Sequence, residues 1–446
     1  MIDHLIQIGF LMIKQAFLIV SALLILPFQG FCQEVMSIDD AIRIGLENNY
    51  GILLARNELQ IATNNVTWGN AGILPSINIH ATYDKAITAA DVKVISGTEL
   101  QENKAQTDLT IAGVNLKWTL FDGLNMFVRF DKLKKMQDMG EMEFRKAVEN
   151  TMANIIITYF DIVQQQMVKR VLEEQVAISK ERVNIADTRK SVGTGSELDL
   201  LQAQVDLNGD ASSLFSQSAS LTNARTDLNE LLSRDASIAF RVIDTVVLAP
   251  QLLLDTLRQY TLQHNKDLLL LSMQKDAALL DMKAFKAERL PVINFNSGYG
   301  FLRNETQASF IQYNNQLGPH FGISAEFNLF DGFNQHRKVQ NAQITLMNSE
   351  LRVRQTWNQL EAYLIRLYND YQNDLQLIGF ENENLKLAIK NMDIAKESYS
   401  IGAISPIQLR EVQKNLISAN NRLIYALYRA KVKETELLLI SGQLLK

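Results

Sequence analysis

The chain has 446 residues, 47% of them apolar and 21% charged, which is ample material for a core and unlike a disordered composition. Its net charge is −5 and its basic residues are dispersed, so the sequence gives no support for nucleic-acid binding. Proline occurs only at 27, 75, 250, 291, 319 and 406, leaving long intervals open to helix.

Residues 1–32 read as an export signal. Lys14 precedes an apolar run from Ala16 to Pro27 that is too short to span a bilayer, and Gly30-Phe31-Cys32 offers a small-residue cleavage site. Met1 and Met12 are both possible starts; Met-Ile-Lys from Met12 makes the more usual basic leader. Cys32 has two readings, removal with the signal or lipid attachment, and the bulky Phe31 before it favours removal. A mature chain from Gln33 would contain no cysteine, so neither disulfides nor thiol chemistry would be available to it.

Two tandem units follow, 33–247 and 248–446. Ser37 to Gly69 reads as one helix, stopped at Leu74-Pro75. Two alternating strands are expected at about 76–90 and 107–121, joined by a polar loop from Ser96 to Gln106, with a bulge where the apolar phase slips at Ala112-Gly113. Thr119-Leu-Phe-Asp-Gly-Leu-Asn125 closes the hairpin and opens a helical stretch without proline as far as Ser191. Val171, Ile178, Ile185 and Val192 fall at sevenfold spacing, and Leu200, Leu207, Leu214, Leu221 and Leu228 repeat it beyond the turn, so about 124–233 reads as an antiparallel coiled-coil hairpin.

The plan then recurs. Strands are expected at about 292–304 and 318–330, and a second hairpin at about 333–442. Asn328-Leu-Phe-Asp-Gly-Phe-Asn334 repeats the seam, with Phe330 lying 209 positions beyond Phe121. Phe380, Leu387, Ile394 and Ile401 keep that offset from the first ascending heptads, and Leu409, Leu416, Leu423, Ala430 and Leu437 keep it from the descending ones. The chain is a duplication, with a linking segment around Asp235 to Pro250.

Four strands with one apolar face suit a membrane barrel, where open sheet edges are not tolerated. Four cannot close alone, so several chains must share one barrel; two would give eight strands and three twelve. The competing reading is a periplasmic coiled-coil scaffold with water-soluble sheets and no pore.

Leu46-Glu-Asn-Asn49, Leu74-Pro-Ser-Ile-Asn78, both seams, and the turns Ser191-Val-Gly-Thr-Gly-Ser-Glu-Leu-Asp199 and Tyr399-Ser-Ile-Gly-Ala-Ile-Ser-Pro-Ile-Gln408 together resemble the TolC family of outer-membrane efflux proteins. The resemblance implies a mixed, mainly α membrane fold: a homotrimer whose 12-stranded β-barrel continues into a periplasmic α-helical barrel. It implies an outer-membrane duct for efflux or type I secretion, partnered by a periplasmic adaptor and an inner-membrane pump of RND or ABC type. At the helix tips it points to Val192, Gly193, Ile401 and Gly402 for adaptor contact, and to Asp199, Tyr399, Gln408 and Glu411 for the entrance gate and pore. Ile404 stands where some members carry a gating arginine, so a charged lock is not expected there.

Capping competes for some of these residues. Ser196-x-x-Asp199 and Ser405-x-x-Gln408 both read as capping boxes, with Pro406 at the first helical position. Asp122, Gly123, Asp331 and Gly332 read as strand-to-helix structure rather than paired catalytic carboxylates. The histidines at 4, 80, 264, 320 and 336 lack metal-ligand spacing, and no enzyme or cofactor signature emerges.

Overall fold

A computed structural model describes residues 34–444 apart from 94, 250, 251, 308 and 310. The signal segment, with Met1, Met12 and Cys32, lies outside the described residues. In chain order the elements are β1 (Glu34–Met36), α1 (Ile38–Asn48), α2 (Tyr50–Asn65), β2 (Ser76–Lys93), β3 (Glu99–Asp122), α3 (Asn125–Ser191), α4 (Glu197–Leu231) and β4 (Phe240–Val242). They continue with α5 (Leu254–His264), α6 (Lys266–Ala287), β5 (Val292–Thr306), β6 (Tyr313–Glu326), α7 (Asn334–Ser400) and α8 (Pro406–Ile440). The duplication is visible directly: α3 and α7 each run 67 residues, about 100 Å, and α4 and α8 each run 35.

The single helix expected from Ser37 to Gly69 is two helices. Asn49 takes an extended conformation between them; its Oδ1 accepts from Gly51 and Ile52 N–H, and its Nδ2 donates to Leu231 O at 2.8 Å. Asn265 repeats the device between α5 and α6, accepting from Leu268 N–H and donating to Ile440 O at 3.0 Å. One asparagine thus caps the start of one helix and the end of another, satisfying orphan groups on both.

The long β2–β3–β5–β6 sheet is antiparallel throughout, and β2 and β6 are its unpaired edges. Its strands exceed the roughly ten residues that cross a bilayer, running from 14 in β6 to 24 in β3. The expected polar loop is largely strand, because β3 begins at Glu99. No bulge occurs at Ala112-Gly113; the register is continuous there and shifts instead at Thr88/Ala90 and Thr119/Phe121. The apparent slip has a simple cause: Leu109 and Ile111 are apolar residues on the otherwise polar face. The last strand ends at Glu326 rather than 330. Pro319 is accommodated because β6 is an edge.

Across the four strands one face is apolar. Ile79 pairs with Val114, Val114 with Tyr299, Phe295 with Ile323 and Ser297 with Phe321. Ile79 and Phe321 are each 82% exposed. The helical hairpins hold the buried core. One cluster gathers Met36, Ala41, Ile155, Tyr159, Leu228 and Phe240; its counterpart gathers Leu257, Leu364, Leu367, Tyr371 and Leu437. Tyr159 donates to Met36 O and Tyr368 to Leu252 O, so equivalent tyrosines pin the segments that lead into each unit. One heptad row departs from expectation: Phe380, Leu387 and Ile394 on α7 are exposed, and hairpin packing uses Leu364, Leu367, Tyr371, Met392 and Ala395 instead.

Candidate functional site: the helix tips and the seam between hairpins

Each hairpin turns through a left-handed glycine, Gly193 at φ 78° and Gly402 at φ 81°. In the first tip Thr194 and Gly195 N–H both donate to Arg189 O at 2.9 Å; in the second Gly402 N–H donates to Tyr399 O at 3.0 Å and Ala403 N–H to Ser398 O at 2.8 Å. These bonds satisfy the last carbonyls of α3 and α7. Val192 and Ile401 project into solvent beside the glycines.

The two tips touch. The Arg189 guanidinium sits 4.7 Å from the centre of the Tyr399 ring and donates to Tyr399 O and Ser400 O, closing the end of α7 from the neighbouring hairpin. Tyr399 is 3% exposed and packs with Met392, Ala395 and Leu409, flanked by Ile178, Ile185 and Ile404. Within this chain it is a core residue between hairpins.

The expected pair of capping boxes is asymmetric. Ser405 and Gln408 close a reciprocal box, Gln408 N–H to Ser405 Oγ at 3.3 Å and Ser405 N–H to Gln408 Oε1 at 2.8 Å. At the first tip Asp199 N–H donates to Ser196 Oγ at 3.1 Å, but the Asp199 carboxylate takes no hydrogen bond from a described residue. Side-chain length is not the obstacle, because Ser37 and Asp40 close the same box at α1. Asp199 therefore keeps a free, half-exposed carboxylate, and Glu411 is exposed on α8.

The strongest electrostatic feature lies a few turns above the tips and was not foreseen. Arg410 on α8 holds Asp210 on α4 bidentately at 2.8 and 2.9 Å. Arg182 on α3 reaches Asp206 at 3.1 Å and Gln413 at 3.3 Å, and Arg410 Nε stands 3.7 Å from Asp206. Gln175 and Ser179 also donate to Asp210, while Gln413 donates to Ser179 at 3.1 Å. Arg182, Asp210, Ser179 and Gln413 are all buried. Two guanidiniums face two carboxylates, so the cluster is charge-balanced as well as bonded, which burial demands. Burial pushes the Asp210 carboxyl up, but hydrogen bonds from Arg410, Ser179 and Gln175 outweigh it and hold the group below the usual carboxylate range. One sequence signal did exist: Asp206 and Asp210 are like charges four apart on one helix, which is unfavourable without a cation from elsewhere.

At the sheet end, Asp122 is buried; its Oδ1 accepts from Met126 N–H at 3.0 Å and its Oδ2 from Arg129 at 2.8 Å. Asp331 accepts from Gln335 N–H at 2.7 Å. Gly123 has φ 73°, and a Cβ there would lie 2.3 Å from Ala287 O; Gly332 has φ 68° and an open surround. Among the described residues no group of three or more histidine, cysteine or acidic side chains is placed to hold a metal ion, and no helix is long and apolar enough to cross a membrane.

Comparison with known proteins adds four findings. The sequence pattern of the family described as outer membrane efflux protein matches residues 41–234 and 257–443. The chain is 20% identical over 415 residues to the proteases secretion protein PrtF of Dickeya chrysanthemi, covering 91% of this chain and 88% of that protein. Its fold is similar to the CmeC outer membrane channel of Campylobacter jejuni at TM-score 0.77, 17% identity and coverage of 91% and 85%. It is also similar to CusC, at TM-score 0.75, 17% identity and coverage of 94% and 95%.

Proposed function

The chain belongs to the outer membrane efflux protein family, and from that premise we propose that it is a passive exit duct in the outer membrane. Three copies would close its four strands into a 12-stranded barrel and its paired hairpins into a periplasmic helical barrel. The observation that carries this reading is that every open edge comes in a matching pair. The sheet leaves β2 and β6 unpaired, and the helices leave Phe380, Leu387 and Ile394 exposed on α7 and Leu201, Val205 and Phe215 exposed on α4. Within the chain, Ile178 and Ile185 of α3, the counterparts of Leu387 and Ile394, are covered by the second hairpin. The same contact made by α7 against α4 of the next copy covers the rest and repeats around a ring.

The exposed apolar sheet face fits lipid and argues against a water-soluble scaffold. The cargo would enter at the tips, where Val192, Gly193, Ile401 and Gly402 offer a small apolar surface to a periplasmic adaptor. An inner-membrane pump, of RND or ABC type, would supply the energy. The name of PrtF, a proteases secretion protein, supports the secretion branch of this reading. Asp199 and Glu411, whose carboxylates take no hydrogen bond from a described residue, are the entrance and pore candidates; Tyr399 and Gln408 act through the contact between tips and through capping. The buried Arg182/Arg410–Asp206/Asp210 cluster holds the two hairpins of one chain together and takes the place of the charged lock that Ile404 removes.

Fractionation with native mass measurement tests the reading. The protein is expected in the outer membrane as a species of three chains of 50.5 kDa each before signal removal. A soluble periplasmic monomer would overturn it.

A further inference from the structure

The polar face of the sheet carries a second constellation, far from the tips, that neither gating nor capping uses. Two cross-strand rows define it: Asn78, Asn115, Gly298 and His320 in one, and His80, Gly113, Gly300 and Gly318 in the next. His80 comes from β2 and His320 from β6, the two outer strands. Each ring leans inward over a glycine. A Cβ on Gly113 would lie 3.3 Å from His80 Cε1, and a Cβ on Gly298 would lie 2.7 Å from both His320 Cε1 and Asn115 Oδ1. Asn115 Nδ2 lies 3.4 Å from His80 Nδ1, so the amide stands between the two imidazoles. Beside them lies a hollow of about 460 Å³ lined by the two imidazoles, Asn115, Gly300, Gly318 and Gln316, with Ile111 and Leu302 as its apolar members on the same face.

We infer that His80, Asn115 and His320 form a weak binding site for a divalent transition-metal ion of the copper, nickel or zinc kind. Imidazole is the commonest protein ligand for these ions, and an amide oxygen or water completes such a set. Two things favour this over a packing role. Each ring lies over a glycine, and the two flank the Asn115 amide from positions 240 residues apart in sequence. A site with two imidazoles and no carboxylate binds loosely, which suits a wall past which cargo must move: binding must permit exit as well as entry. The placement on an inner wall rests on the duct reading above; the ligand set does not.

The test uses full-length mature protein in detergent, freed of any histidine tag, titrated with Ni²⁺ at neutral pH by calorimetry. The expected result is one ion per chain, with affinity reduced at least tenfold in His80→Gln and in His320→Gln and unchanged in His264→Gln, all variants keeping the wild-type native mass and melting temperature. Equal binding by all four proteins, or none by the wild type, overturns the site. In planar bilayers Ni²⁺ is expected to lower the conductance of the wild type and not of the His80→Gln/His320→Gln protein. Conductance without any Ni²⁺ response overturns the site and leaves the duct standing. Ni²⁺ binding without conductance overturns the duct and leaves the site standing.

Discussion

Arg410 is the residue on which the contact between hairpins depends most. It holds the buried Asp210 bidentately and stands 3.7 Å from Asp206, so removing it leaves Asp210 without a cation while Asp206 keeps Arg182. Breaking a buried pair from one side costs on the order of 3–5 kcal/mol. Arg410→Met is therefore expected to loosen the tips, seen as faster proteolysis at Arg189 and Lys190 and as a raised resting conductance, with the sheet end unaffected. Acid should act on the same cluster. The Asp210 carboxyl lies below its usual range when folded, so the stability it contributes is complete above the ordinary carboxylate value of about 3.9 and is lost as pH falls through the folded value. Tip protection, followed by hydrogen exchange, should weaken below about pH 4 in the wild type; in Asp210→Asn it should start lower and show less of that acid limb.

At the scale of elements, the two seams look alike in sequence and differ in their demands. Both glycines are left-handed, but only Gly123 lies against a helix end, at Ala287. Gly332→Ala is expected to cost about 1–2 kcal/mol from conformation alone, and Gly123→Ala clearly more; thermal melting of the two variants checks the order. The duplicated spacing of seams and heptads made the strands and long helices legible, because periodicity of two and of seven is a local property. The breaks at Asn49 and Asn265 were not legible, since each depends on a carbonyl at Leu231 or Ile440 that only the folded hairpin brings near. The β1–β4 pair was missed for the same reason; strands of three residues carry no pattern. The Arg/Asp cluster joins positions about 200 apart, and the like-charged Asp206 and Asp210 were its only local trace.

At the scale of the whole molecule, the cluster is not duplicated. The positions 209 away from Asp206, Asp210 and Arg410 are Asn415, Ala419 and Leu201. The seam inside one chain thus adds ion pairs to its apolar contacts, whereas the equivalent seam between chains would be made of Phe380, Leu387 and Ile394 against Leu201 and Val205 without them. Phe380→Glu, 70% exposed in the single chain, is expected to weaken assembly while leaving the hairpin folded, seen as loss of the three-chain species at unchanged helicity. Salt and acid should loosen contacts within chains before those between them. The central claim is that copies of this chain enclose a conducting pore, and planar-bilayer recording of the detergent-extracted protein tests it most directly. The account predicts discrete, long-lived conductance steps that increase in Arg410→Met; a protein that assembles and inserts yet passes no current in either form would contradict it.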